Sequence, residues 1–231
     1  METNIPQHIA VIMDGDRRWA REHGLSRVVE GHRQVADNIL EPLIEHAAKR
    51  GVRFMTFWAW STENWQRDKG EVEAMMRLFR HVIRRRWQRL HEKGVRIRVI
   101  GDLSKFPSDI KQALEAVVEQ TKNNTTITAV FGLNYGGRDE LLRAIQNLQI
   151  YKSTNVQINE KEFEKYLDTA GIPNPDLIIR TGGEQRLSGF LLWQSEYSEL
   201  YFPAWYMPEF TPARLDEAIE EFGKRKRRFG R

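Results

Sequence analysis

No cysteine occurs anywhere in the 231 residues. That single absence removes disulfides, thiolate nucleophiles, zinc fingers and iron–sulfur clusters together, and it fits a reducing compartment. Long apolar runs are missing as well. No segment approaches the ~20 apolar residues of a spanning helix. The first apolar run, Ile9–Met13, is too short for a signal peptide and lacks a basic flank. A cytoplasmic protein with at most transient membrane contact is expected. There is no internal repeat, no low-complexity stretch and no Pro/Gly/Ser linker, so residues 1–231 read as one domain.

A large excess of one charge is also lacking. The chain has 36 Lys+Arg against 32 Asp+Glu, a net +4. Six of the cations fall within Phe222–Arg231, where no acid occurs, so residues 1–221 carry 4 − 6 = −2. A basic tail on a slightly acidic body is not the footprint of a nucleic-acid-binding module. Such a module needs basic residues along a face with stacking aromatics between them.

What is present is hydrophobic order. With 40% hydrophobic residues the chain can build a sizeable core. Short apolar runs at Ile9–Met13, Phe54–Trp60, Val95–Ile100, Ile127–Leu133 and Asp176–Ile179 read as strands. Between them lie helical periods. One is marked by Ile39, Leu40, Leu43, Ile44 and Ala47, another by Ile110, Leu114, Val117 and Val118. Leu141, Leu142, Ile145 and Leu148 mark a shorter helix, and Leu215, Ile219 and Phe222 the last. The longest, Val72 to Leu90, sets Met75, Met76, Phe79, Ile83 and Trp87 on one face, and the arginine series from Arg77 to Arg98 reads as solvated surface. Alternating strands and helices predict an α/β fold with a mainly parallel sheet surrounded by helices. Ligands of such sheets bind outside the carboxyl ends of the strands.

Three strand ends carry the same kind of chemistry. After the first comes Met13-Asp14-Gly15-Asp16-Arg17-Arg18-Trp19, where a helix start and two arginines suit a diphosphate and Asp14 suits magnesium. After the second comes Ser61-Thr62-Glu63-Asn64-Trp65-Gln66-Arg67, and after the fifth Arg180-Thr181-Gly182-Gly183-Glu184-Gln185-Arg186-Leu187-Ser188. Any one of these is a plausible helix cap or charged loop. Three at corresponding positions argue for a shared anion site. Motifs for nucleoside triphosphates, dinucleotides, zinc proteases and serine hydrolases are absent, as is an aspartate-rich D-D-x-x-D segment.

At these residues the chain resembles the cis-prenyltransferases, the family that includes undecaprenyl diphosphate synthases. The matching pieces are HIAVIMDG-x-x-RWA at 8–20, Gly31-His32, STENWQR at 61–67, NYGGR at 134–138, LIIRTGGEQRLSGFLLWQ at 177–194, YSELYF at 197–202 and RRFG at 227–230. They keep one order over nearly the whole chain.

The resemblance implies a homodimer with a hydrophobic tunnel in each subunit. It also implies magnesium-dependent addition of isopentenyl diphosphate to an allylic diphosphate, usually farnesyl diphosphate, with a new cis double bond each round. By the same resemblance Asp14 holds Mg2+, with Glu199 a second candidate metal contact. Gly15, Arg18, Arg67 and His32 surround the allylic diphosphate, and Ser61 and Asn64 lie where condensation and proton loss occur. Arg180, Arg186 and Ser188 bind isopentenyl diphosphate. Arg228 and Gly230 form a terminal Arg-x-Gly that reaches across the dimer. Asp16, Arg17, Trp19, Thr62, Glu63 and Trp65 complete the substrate-facing motifs, although the Trp19 ring reads more readily as core.

Two features stand apart from the pattern. The first motif commonly has Asn where this chain has Asp16, which sets a second carboxylate beside a diphosphate and should weaken binding unless Arg17 or the metal compensates. Arg17 is a frequent variant. Product length is the other open point. Ala59 is small where bulk goes with short products, which favours a medium or long polyprenyl diphosphate such as undecaprenyl diphosphate. Bulky Trp58, Trp60, Phe131 and Leu133 on neighbouring strands pull the other way. A short-chain (Z)-prenyl synthase, an irregular coupling relative and a non-catalytic partner subunit remain as alternatives. The last would be expected to lose Asp14 and much of Ser61–Arg67, and this chain keeps both.

Overall fold

The computed structural model describes residues 4–151 and 158–226. Each apolar run becomes a strand: β1 His8–Ile12, β2 Phe54–Ser61, β3 Val95–Ile100, β4 Ile127–Tyr135 and β5 Leu177–Arg180. A sixth, β6 Glu199–Tyr201, has no signature in the sequence, because three residues at a sheet edge are too few to show a period. All pair in parallel, in the order β3-β4-β2-β1-β5-β6.

Parallel strands need crossovers, and helices supply them. They are α1 Asp16–Glu22, α2 Val29–Gln34, α3 Leu40–Lys49, α4 Lys69–Arg85, α5 Trp87–Glu92, α6 Ser108–Thr121, α7 Gly137–Tyr151, α8 Glu160–Glu164 and α9 Pro212–Lys224. A π-helical turn, Val35–Ile39, joins α2 to α3. Alternate residues of a strand point to opposite faces of the sheet. Ile9, Val11, Leu177 and Ile179 therefore face the core beneath α3, α4, α6 and α9, while Ala10, Ile12 and Ile178 face Phe190, Leu191 and Ile172. Burying each such Ile or Leu contributes about 1.5–3 kcal/mol.

Three expectations need correcting. The Val72–Leu90 period is two helices broken at Arg86, whose guanidinium turns to Asp37 at 2.8 Å. Arg86 and Arg98 are thus not solvated surface; Arg98 donates to the Ala170 carbonyl at 3.2 Å. On α7 the apolar residues do not share one buried face: Leu142 and Ile145 are 61% and 43% exposed, Leu141 and Leu148 are half-buried, and Glu140 and Ala144 are buried.

His8, at the start of β1, is buried between two elements. Its Nδ1–H donates to the Pro173 carbonyl at 2.7 Å, and its Nε2 accepts from the Thr56 hydroxyl at 2.7 Å. Burial disfavours the imidazolium and lowers the pKa from 6.5 to about 4. Above pH 6.5 this group leaves stability unaffected. Between 6.5 and 4 the unfolded chain takes up a proton that the folded chain refuses, so stability falls with pH. The loss from this residue should approach about 3 kcal/mol at pH 4. Urea unfolding at pH 7 and pH 4.5 should show a smaller acid loss for His8→Gln; an equal loss would exclude His8 as the cause.

Candidate active site

In strand order β3-β4-β2-β1-β5-β6, the chain progresses away from β1 on one side through β2 and on the other through β5. The crevice at the carboxyl end of β1, between β2 and β5, is the switch point at which such sheets bind ligands. Asp14 follows β1, Ser61 ends β2 and Arg180 ends β5. Three segments far apart in sequence are brought together by register alone.

Asp14 and Arg180 are the centre of the crevice. Arg180 Nη2 donates to Asp14 Oδ2 at 2.9 Å, and Arg180 Nη1 donates to Ser188 Oγ at 2.8 Å and to the Arg186 carbonyl at 2.6 Å. The other Asp14 oxygen accepts from the Gly15 N–H at 2.7 Å and from Arg18 Nη2 at 3.3 Å. Arg180 is only 5% exposed, so its planar fork is held on both sides. Thr181 fixes the backbone: its hydroxyl accepts from the Asp14 N–H at 2.8 Å and donates to the Asp14 carbonyl at 2.6 Å. Gly15 precedes α1 at φ +97°, the left-handed conformation that favours glycine.

Asp16 and His32 meet one layer further in. His32 Nδ1 and Asp16 Oδ2 are 2.8 Å apart, across 16 residues of sequence. Asp16 is 5% exposed. A close approach makes the pair possible: a Cβ on Gly31 would lie 2.1 Å from the Asp16 carbonyl oxygen, so only glycine lets α2 pack this tightly on α1. Asp16 Oδ1 and His32 Nε2 are buried without a hydrogen-bond partner.

The Ser61–Arg67 segment forms a short 3₁₀ turn. Asn64 Oδ1 accepts from the Ser61 N–H at 3.0 Å and closes it. Arg67 lies over the Trp60 ring at 5.4 Å and donates to Glu71 Oε1 at 2.8 Å; Arg17 is 3.7 Å from the same carboxylate. Glu71 was not singled out from sequence, although its i+4 spacing from Arg67 is the available signal.

Two cavities share this place. A polar cleft of about 400 Å3 is lined by Asp14, Asp16, His32, Ser61, Glu63, Asn64, Arg67, Arg180 and Ser188. Behind it an apolar tunnel of about 140 Å3 runs between the sheet and α2–α6, lined among others by Leu40, Leu78, Phe79, Ile83, Leu90, Val99 and Phe131. Met13, Asp16, His32, Ala59 and Met75 line both, so the tunnel opens into the cleft there. Phe131 and Leu133 belong to its wall. Trp58 does not; its ring stacks on Phe190 at 5.1 Å.

Other sequence candidates lie elsewhere. Trp19 stacks on His23 with ring centroids 4.2 Å apart, Trp65 donates to Asn134 Oδ1 at 2.8 Å, and Arg186 is an exposed side chain paired with Glu184. Thr62 donates to Glu63 at 2.9 Å. Glu199 is not brought to Asp14 within the chain. It opens β6 opposite Leu177, three residues before Arg180, at the amino end of the sheet, and accepts from Arg225 at 2.9 Å. Arg228 and Gly230 lie outside the described residues. No cluster of three metal-ligating side chains occurs among the described residues, and none of their helices is long and apolar enough to cross a membrane.

Comparison with known proteins shows the family and the fold. The sequence profile of the undecaprenyl diphosphate synthase family of prenyltransferases matches residues 12–230. An isoprenyl transferase of Clostridium perfringens is 44% identical over 234 residues, covering 100% of this chain and 92% of that protein. The crystal structure of lavandulyl diphosphate synthase from Lavandula x intermedia, in complex with dimethylallyl diphosphate, superposes with a TM-score of 0.93 at 33% identity, over 98% of this chain and 99% of that one. A probable undecaprenyl diphosphate synthase from Campylobacter jejuni gives 0.83 at 30% identity, over 99% and 100%.

Proposed function

The chain belongs to the undecaprenyl diphosphate synthase family, prenyltransferases that transfer alkyl groups other than methyl, and we propose that it adds isopentenyl diphosphate repeatedly, in cis, to an allylic diphosphate. Farnesyl diphosphate is the proposed starter and a medium or long polyprenyl diphosphate the product. One observation carries this reading: a polar, arginine-bearing cleft and an apolar tunnel share a mouth. A diphosphate bound at the strand ends leaves its hydrocarbon tail nowhere dry to lie except the tunnel.

Roles follow from position. Arg67 lies in the cleft paired with Glu71 and would exchange that partner for phosphate oxygens. Arg180 and Ser188, already hydrogen-bonded to each other, offer a second anion site for isopentenyl diphosphate. Ser61 and Asn64 stand in the cleft beside the place where the new bond would form. Asp14 is a partly exposed single carboxylate, the donor set magnesium uses when substrate phosphates complete its shell. Bound there, magnesium would neutralise charge on the departing diphosphate. Small Ala59 at the tunnel mouth leaves room for an elongating chain.

A homodimer is proposed on the outward apolar face of α7, where Leu142 and Ile145 are exposed. The partner's C-terminal segment would then bring an Arg-x-Gly to the site.

Asp16 finds its compensation in His32 rather than in Arg17. With its Oδ2 engaged by the imidazole, it does not stand as a bare second carboxylate. Asp16→Asn should therefore change kcat/KM by less than about tenfold, within ~1.4 kcal/mol. A rise of a hundredfold would show that the carboxylate damages the site.

The deciding assay uses radiolabelled isopentenyl diphosphate with farnesyl, geranyl or dimethylallyl diphosphate and magnesium, and resolves product length by chromatography. The likeness to a lavandulyl diphosphate synthase bound to dimethylallyl diphosphate supports a second reading, the irregular coupling relative raised by the sequence. Branched product from dimethylallyl diphosphate alone would select it; linear product requiring isopentenyl diphosphate would reject it.

A further inference from the structure

The tunnel is apolar along its length and carries charged groups at both ends. α4 and α5 track it: Met75 lines the mouth shared with the cleft, and Phe79, Ile83, Trp87 and Leu90 follow about a turn apart. At 1.5 Å per residue, Met75 to Leu90 spans about 22 Å. On the facing side His32, Ala36, Leu40 and Glu41 make the same progression along α2, the π-helical turn and α3. At the far end the lining includes the side chains of Arg86 and Glu41, 26% and 17% exposed. The tunnel therefore comes out towards the surface a second time, at the seam between α3 and α5. Ion pairs close that seam: Asp37 takes Arg86 at 2.8 Å and His81 at 3.4 Å, and Glu41 takes Lys93 at 2.6 Å.

Beside this seam the surface is strongly basic. From Ala74 to His91 the chain has six arginines and no acid. Two are committed to partners, Arg80 to Asp109 at 2.6 Å and Arg86 to Asp37. The other four are not. Arg84 and Arg85 are exposed and have no acidic partner among the described residues. The Arg77 and Arg89 side chains are 66% and 60% exposed and lie 3.9 Å from Glu73 and Glu41, beyond hydrogen-bond reach. Arg77 and Arg84 stand two turns apart on one face of α4, Arg85 adjoins them, and Arg89 follows four residues later on α5. The apolar side of α4, with Met75, Leu78 and Ile83, is already buried in the core. This face can therefore bind a partner only through its charge.

We propose that the arginine face of α4 and α5 docks this protein on an anionic lipid bilayer, with the far end of the tunnel turned to the membrane. Four loosely held guanidinium groups match a plane of phosphate headgroups, to which each nearby cation adds attraction. They do not serve the substrate diphosphates, whose proposed sites lie in the cleft at the other end of the tunnel. A single-stranded nucleic acid would need stacking aromatics exposed between the cations. The aromatics of this stretch, Phe79 and Trp87, line the tunnel instead. The orientation rests on the polyprenyl reading, because only a long apolar product gains from a tunnel that ends against lipid; the charge contact does not depend on it.

The test is co-sedimentation, without substrate, with vesicles of phosphatidylcholine alone and of phosphatidylcholine mixed with phosphatidylglycerol. Wild type should bind only the mixed vesicles and should be released by high salt. Arg77→Gln/Arg84→Gln/Arg85→Gln should lower the partition coefficient about a hundredfold. The control Arg21→Gln/Arg96→Gln/Lys161→Gln removes the same charge from exposed side chains elsewhere and should lower it by no more than about threefold. Because the chain has no cysteine, an environment-sensitive dye can be attached at Gln88→Cys or at Lys161→Cys alone. Only the dye at 88, on the exposed side of α5, should shift to the blue on mixed vesicles. Equal losses in the two triple variants, equal dye shifts at 88 and 161, or wild type left in the supernatant would each overturn the proposal. So would displacement of the vesicles by a single-stranded oligonucleotide at equal phosphate concentration. A chain that binds vesicles in this way yet never turns over isopentenyl diphosphate would keep the docking surface and lose the proposed function; turnover without vesicle binding would do the reverse.

Discussion

Asp14→Asn should lower kcat/KM by at least about a thousandfold, some 4 kcal/mol of transition-state stabilisation. The substitution keeps size and shape, and the remaining carbonyl can still accept from the Gly15 N–H. What it removes is charge, in the one place where both halves of the site meet. Asp14 is the counter-ion of the buried Arg180 and a partner of Arg18. It is also the carboxylate proposed to hold magnesium against the departing diphosphate. Loss of charge there acts when the allylic C–O bond breaks, since negative charge then accumulates on the leaving group. The fall should lie mainly in kcat, and the magnesium concentration for half-maximal rate should rise. Binding of an unreactive allylic diphosphate analogue in calorimetry should weaken far less. A variant retaining a tenth of wild-type turnover would remove Asp14 from the chemical step.

Much of this site was legible before any coordinates. A parallel sheet concentrates polar residues at the carboxyl ends of otherwise apolar strands, so Asp14, Ser61 and Arg180 each stand where an apolar run stops. What the chain could not disclose was pairing across distance. That Asp16 meets His32, that Arg180 spans from Asp14 to Ser188, and that Arg17 and Arg67 share Glu71 depend on helix packing and sheet order, which no local pattern encodes. On α7 the period locates the helix but not its buried side: Leu142 and Ile145 are exposed while Glu140 and Ala144 are buried, Glu140 accepting from Tyr135, Gln194 and the Asp168 N–H. Glu199 stands apart: the resemblance makes it a second candidate metal contact, and register sets it opposite Leu177 at the amino end of β6, away from Asp14 within the chain.

Arg180→Lys should be the second most damaging change, raising KM for isopentenyl diphosphate by about a hundredfold. It keeps the positive charge, so Asp14 retains a possible partner and the chain should fold. It loses the fork. The guanidinium uses Nη2 for Asp14 and Nη1 for Ser188 and the Arg186 carbonyl, and at 5% exposure it is gripped on both sides. An ammonium is a point charge and cannot span both. Drawn to Asp14, it leaves Ser188 and the Arg186 carbonyl without their donor; drawn to Ser188, it leaves the carboxylate short of a counter-charge. Either choice disorganises the isopentenyl diphosphate side, whereas Arg67, on the β2 side of the cleft, is untouched. The allylic KM should therefore move by no more than about threefold. The reverse pattern, an intact isopentenyl diphosphate KM with a raised allylic one, would mean that the two diphosphate sites have been assigned the wrong way round. Arg67→Lys would then be the variant to raise the isopentenyl diphosphate KM.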